Sequence, residues 1–320
     1  MTTQVLSERA IVGGFYRALE QAAHPWANDL SWYNGMANQG LDVAEKYPWL
    51  GQAPVPREFV GGRQPGQLSQ SAYTLRNKRW EASLRVPLLD WRHDKTGQIM
   101  VRVNDLATRY QAHRARLLST LIANAASALC YDGQNFFDTD HAEGASGTQS
   151  NKLSIDISAL PTTQHGAITA PSPAELAQCI LQAIAAILSF KDDQGEPLNE
   201  TATDFRVMVP ISLYLLAGTA VGARTLASGE DNPVAVASLE GFRLRIHANP
   251  RLTWTDTLAV FRADGSVKPF IFQEDGGVNT KILGPDSEYA TLNDEVLITT
   301  DAINNAGYGY WQHACQVIMV

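Results

Sequence analysis

Two carboxylates and an imidazole stand within four residues at Asp138, Thr139, Asp140 and His141. Such a group can converge on a divalent cation and activate water, as a metal-dependent hydrolase requires. The competing reading is a turn, because an Asp in a loop rich in Gly, Ser and Thr bonds its own backbone. Tyr131, Asp132 and Gly133, just upstream, read as a helix stop with glycine free to take positive φ. Both readings stay open at this level. Elsewhere the chain has no phosphate-cradling loop, nucleophile elbow, zinc-protease motif or dinucleotide fingerprint. His24, His93, His113, His165, His247 and His313 have no carboxylate or cysteine at ligand spacing, and Ser119, Ser212 and Ser238 have no local base. Cys130, Cys179 and Cys315 form no CxxC pair and read as free, buried thiols. No catalytic residue, cofactor or metal is expected.

Charge is the second feature able to act. The 320 residues carry a formal −8, yet residues 57 to 116 hold 12 of the 25 Lys and Arg against 5 of the 33 Asp and Glu. That is a local +7, which leaves 13 bases facing 28 acids in the rest of the chain. A nucleic-acid-binding module through this segment is one reading, but the chain as a whole is acidic, with pI ≈ 5.4. Electrostatic complementarity is the other: a basic arm on one copy meets an acidic face on the next. The candidates for inter-subunit contact are Arg57, Arg63, Arg76, Lys78, Arg79, Trp80 and Arg85, with Trp26, Trp32 and Trp49 as aromatic anchors. Charged residues are only 18% of the chain, below the roughly 25% of an ordinary soluble domain, so part of the surface is expected to be covered by other subunits.

These groups need elements to hold them. No apolar run reaches the ~20 residues of a membrane span, and the start MTTQVLSERA has no basic leader with an apolar core, so no membrane partner and no export are expected. Val5 to Ala22 places Ile11, Phe15, Ala18 and Leu19 at helical spacing; the rest of residues 1 to 50 reads as an arm without a core of its own. From Pro54 to Asp90, Tyr73, Leu75, Trp80, Ala82, Leu84 and Val86 alternate with polar residues, which predicts a two-stranded ribbon with its tip near Gly61 to Gly66 or a turn at Arg76 to Arg79. Gln98 to Leu129 predicts one long helix of about 48 Å, striped by Ile99, Val103, Leu106, Tyr110, Leu117, Leu121 and Ala125. Ser172, Pro173 and Glu175 predict a capped helix start running to Phe190. A helix from Ser212 to Val221 and short strands at 153–157, 205–209, 242–248, 258–261, 269–273, 294–299 and 307–320 complete an α+β pattern.

The string Cys130-Tyr131-Asp132-Gly133-Gln134-Asn135-Phe136-Phe137-Asp138-Thr139-Asp140-His141 resembles the hallmark of the major head subunit of Mu-like phages and prophages. Tyr47-Pro48-Trp49-Leu50-Gly51-Gln52, Tyr73 to Glu81, Val207 to Pro210, Leu226 to Pro233, Lys268 to Gln273 and Gly307 to Gln312 agree with it in order. The resemblance implies the Hong Kong 97-like fold of tailed-phage major capsid proteins. On that plan residues 1–53 are an N-terminal arm, 54–92 an extended loop, 93–170 with 286–320 a peripheral domain round a spine helix, and 171–285 an axial domain. It further implies many copies of the chain as hexamers and pentamers of an icosahedral head, enclosing double-stranded DNA without sequence-specific binding. Assembly in the host bacterial cytoplasm with a portal and a separate scaffolding protein, and location in the virion, follow from the same plan, which leaves room for a decoration protein.

Overall fold

The computed structural model describes residues 8–21, 24–36, 44–47, 73–93, 97–225, 229, 231–239 and 241–320. From the N-terminus come helices α1 (Glu8–Gln21) and α2 (Pro25–Leu30) and strands β1 (Ser31–Met36), β2 (Ala44–Tyr47), β3 (Tyr73–Arg76) and β4 (Lys78–Pro87). Helix α3 (Leu88–His93) leads to the long helix α4 (Gln98–Asn124), then β5 (His141–Ala142), β6 (Thr148–Gln149) and β7 (Lys152–Ile155). The second half holds α5 (Pro173–Ser189), β8 (Asp204–Val209), α6 (Tyr214–Gly222), α7 (Pro233–Leu239), β9 (Arg243–Ala248), β10 (Thr257–Arg262) and β11 (Phe270–Leu283). Helix α8 (Glu288–Asn293), β12 (Glu295–Tyr308) and β13 (Ala314–Met319) close this α+β chain.

Two sheets organise it. One has the order β1-β11-β12-β4, with β1 parallel to β11 and the other pairs antiparallel. Along β12 from Glu295 to Ala306 every second residue is buried, as a strand with one covered face requires, and its last residues, Gly307 and Tyr308, are both buried. The other sheet has the order β7-β13-β10-β8-β9, and β10 is buried at every position because helices and loops cover both its faces. The C-terminal strand β13 thus lies between β7 and β10, while β11 belongs to the first sheet. The strand pairing cuts across the boundaries at 285 and 286 expected from the sequence.

Helix α4 joins two hydrophobic cores. Its first half buries Ile99, Val103 and Ala107 with Ile11 and Phe15 of α1 and Val296 and Ile298 of β12. Its second half buries Ala115, Leu118 and Ile122 among α5 and the five-stranded sheet. Twenty-seven residues at 1.5 Å each make a rod of about 40 Å, whose apolar stripe turns from one core to the other. The start of α5 follows the sequence signal: Ser172 Oγ accepts from Glu175 N at 3.2 Å, and Glu175 Oε2 accepts from Ser172 N at 2.7 Å.

Several expectations change. Helix α4 ends at Asn124 rather than Leu129, because the chain folds back and Phe137 N and Phe136 N donate to the carbonyls of Ala125 and Ala128; Leu129 is exposed. Strands β3 and β4 do not pair with each other: β3 pairs with β2 and β4 with β12, while Asn77 between them is buried and accepts from Gln273 Nε2 at 2.8 Å. The expected ribbon tip lies outside the described residues. The arm expectation is corrected as well, since α1 packs into the smaller core, Trp26 and Leu30 enter the larger one, and β1 extends the first sheet. The last expected strand is interrupted by a 3-10 turn at Trp311–His313.

Candidate functional site: the loop after the long helix and the basic strand

The twelve-residue string is a knot that fastens the end of α4 to the segment leading into β13. Cys130 N donates to Gln134 O at 2.7 Å, and Gly133 takes φ 88° so that the loop can reverse. Phe136 stacks on Tyr308 and Phe270 at centroid distances of 4.8 and 5.3 Å, and Phe137 meets Phe261. Both rings are fully buried in the larger core. Asn151 holds the loop from below, its Nδ2 donating to Phe136 O at 2.8 Å and its Oδ1 accepting from Asp138 N at 2.9 Å.

The three metal-ligand candidates do not converge. His141 turns inward: it is wholly buried, its Nδ1 lies 2.6 Å from Asp132 Oδ2, and its ring stacks on Trp311 at 4.0 Å. Asp138 caps the turn, accepting from Thr139 N at 2.9 Å and from Asn135 Nδ2 at 2.8 Å. Burial works against its ionised form, but the bonds from Thr139 and Asn135 outweigh it and hold the carboxyl below the usual range. Asp140 is exposed and meets Gln134 Nε2 at 3.4 Å. Among the described residues no three His, Cys, Asp or Glu side chains are grouped to hold a metal. Of the two readings of the loop, the turn is the one formed.

Partners unseen in the sequence complete the knot. Glu143 Oε1 accepts from Tyr131 Oη at 2.5 Å, Trp311 Nε1 at 3.2 Å and Gln312 Nε2 at 3.3 Å. Burial still raises its carboxyl above the ordinary value. Burial also drives the thiols of Cys130 and Cys315 upward and that of Cys179 to about 12. All three cysteines are free and buried, as the spacing implied.

The basic candidates divide by position. Trp49, Arg57 and Arg63 lie outside the described residues. Arg76, Lys78, Arg79 and Arg85 are exposed along β3 and β4, and Arg79 reaches Asp301 at 3.0 Å. Trp80 is half-buried; its Nε1 donates to Asn304 O at 3.1 Å and its ring packs on His113 at 4.4 Å. Trp26 is buried inside its own subunit against His24, and Trp32 is partly buried edge-on to Tyr47. Trp26 therefore does not present the free surface expected of an inter-subunit anchor.

A long helix bridging two cores, with one sheet along its first half and another beyond its second, is the architecture of tailed-phage major capsid proteins, the Hong Kong 97-like fold. The structure superposes on the procapsid protein of bacteriophage JBD30 with a TM-score of 0.53 over 98% of this chain and 76% of that one, at 18% identity. The chain belongs to the Mu-like prophage major head subunit gpT family, whose model matches residues 14–160 and 248–318. Residues 161–247 between the matched parts carry α5, β8, α6, α7 and most of β9. Two curated relatives are similar. The Mu-like prophage FluMu major head subunit of Haemophilus influenzae is 30% identical over 113 residues, 35% of this chain and 37% of that protein. The major capsid protein of Escherichia phage Mu is 30% identical over 95 residues, 30% of this chain and 31% of its own length. The matches thus span about a third of each curated relative. The family is one of structural head subunits, not enzymes, and neither the hydrolase nor the nucleic-acid-binding reading is favoured.

Proposed function

We propose that many copies of this chain build the shell of a tailed, Mu-like phage head, a closed container for double-stranded DNA. The observation that carries the reading is family membership across both α4 and the strands β10 to β13 that flank it. The four-stranded sheet with α1 and α4 would form the peripheral part, and the five-stranded sheet with α5, α6 and α7 the axial part near the centre of each hexamer or pentamer. Helix α6 fits that place: Leu215 and Tyr214 project into solvent from a helix with no charged side chain, a surface suited to burial against copies. Arg76, Lys78, Arg79 and Arg85, joined by Arg57, Arg63, Trp32 and Trp49, supply the steering contacts, and many modest interfaces sum to a stable shell.

The scaffolding protein, portal and decoration protein belong to the same proposal, as do assembly in the host cytoplasm and DNA held without base contacts. Velocity sedimentation of the chain expressed with its scaffolding partner tests it. Fast-sedimenting, homogeneous particles are expected; a species that stays at the monomer position under every assembly condition overturns it.

A further inference from the structure

A cleft of about 380 Å³ lies between the middle of α4 and strand β4. Trp80, Tyr110 and His113 form its walls, and Arg109, Arg116 and Arg251 reach it from α4 and from the loop between β9 and β10. Arg109 and Arg116 stand seven residues apart on one helix, so their bases are about 10 Å apart along its axis. Arg109 is paired with Asp105 at 3.0 Å, whereas the exposed Arg116 and Arg251 enter no ion pair among the described residues. Strand β4 closes the cleft on the other side. It is the edge of its sheet, with Lys78 to Pro87 paired along β12 from Asn304 to Glu295 and no described strand on its free side.

A ten-residue edge with no bulge in its pairing to β12 is a template for strand pairing, and its Lys78, Arg79 and Arg85 bias that pairing toward an acidic partner. We propose that this cleft and the free edge of β4 together receive an extended acidic stretch of a second copy of the chain. The added segment would hydrogen-bond to β4 through its main chain, as in strand addition, and place carboxylates against Arg116 and Arg251. The chain supplies such stretches, since outside residues 57 to 116 it carries 28 acids against 13 bases. A nucleic-acid strand fits less well. Only two arginines are free, Glu81 lines the same cleft, and a phosphate backbone is gripped by many cations at once. The proposal rests on the shell-forming reading and names one contact within it.

The test uses the full chain with a photo-crosslinking amino acid, p-benzoylphenylalanine, in place of Ala112 inside the cleft. Particles are assembled from equal parts of light and 15N-labelled protein, irradiated and digested. Crosslinks joining light and heavy peptides, with an Asp- and Glu-rich partner, are expected. Crosslinks confined to one isotope, or to nucleic acid, or none to protein, overturn the inference. In parallel, R116E with R251E should lower particle yield about tenfold, because like charges across an interface are strongly disfavoured, while the melting temperature of the unassembled subunit stays at the wild-type value. If the wild-type chain assembles and the double variant assembles equally well, the cleft is not the contact and the shell reading stands. If the wild-type chain never assembles, both fall.

Discussion

The imidazole of His141 lies flat on the indole of Trp311, ring centroids 4.0 Å apart and planes within 8°. These residues are 170 positions apart in sequence, so the contact ties the loop after α4 to the turn before β13. Asp132 fixes the other side of the imidazole, and Glu143 receives the indole N–H. The twelve-residue string therefore acts as a fastener between the end of the long helix and β13, an interior strand of the second sheet.

Removing a fully buried indole leaves a large cavity and frees Glu143 from one of its three donors. Trp311→Ala should cost about 3 to 5 kcal/mol of subunit stability. His141→Ala, which loses the stack and leaves Asp132 Oδ2 without its partner, should cost about 2 to 3 kcal/mol. Urea unfolding of the unassembled subunit measures both; losses below 1 kcal/mol would remove the fastener role.

Asp138 serves a turn. Asp138→Ala should cost about 1 kcal/mol through the lost bonds to Thr139 and Asn135, and neither chelator nor added divalent cation should move the unfolding midpoint of the wild type. A midpoint that rises with metal, and ceases to rise in the variant, would restore the metal reading.

His313 is buried and held down to about 3, chiefly by burial and then by Arg262. The unfolded chain takes up a proton near the ordinary 6.5. Between those values the unfolded state binds more protons, so this residue makes stability fall as pH falls, by about 1.4 kcal/mol per unit. His24, His113 and His247 are lowered in the same direction. His313→Gln should flatten, without abolishing, the decline between about pH 6 and pH 4.5. An unchanged slope in urea titrations at several pH values would contradict the assignment.

The three thiols are buried and their pKa values raised, so native subunits should resist iodoacetamide at about pH 8 and take three labels only once unfolded. Intact-mass spectrometry reads the count. Rapid native labelling at Cys130 would mean that the loop opens.

Local signals reported the elements that local physics controls. Ser172, Pro173 and Glu175 located α5 because a capping box is a contact between neighbours, and the stripe from Ile99 to Ile122 located α4 because one face of it is buried. The sequence pattern ends the expected strand at Gln273, whereas β11 runs through Gly276 and Gly277. Both take positive φ, within a register shift between Asp275 and Asn279, and the strand continues to Leu283. Pairing of β4 with β12 rather than β3 is set more than 200 residues away. The loop shows the same limit: Asp138, Asp140 and His141 stand together in sequence, yet Asp132, Asn151 and Trp311 are what His141 meets. Adjacent residues in a turn point in different directions, and only the packed partner decides which of them are joined.

Electron microscopy of the full chain assembled with its scaffolding partner tests the central claim most directly. Closed, regular shells tens of nanometres across, in which α4 of each copy can be traced beside its neighbours, are the predicted result. Single particles the size of one subunit, under conditions where the protein is folded, would contradict it.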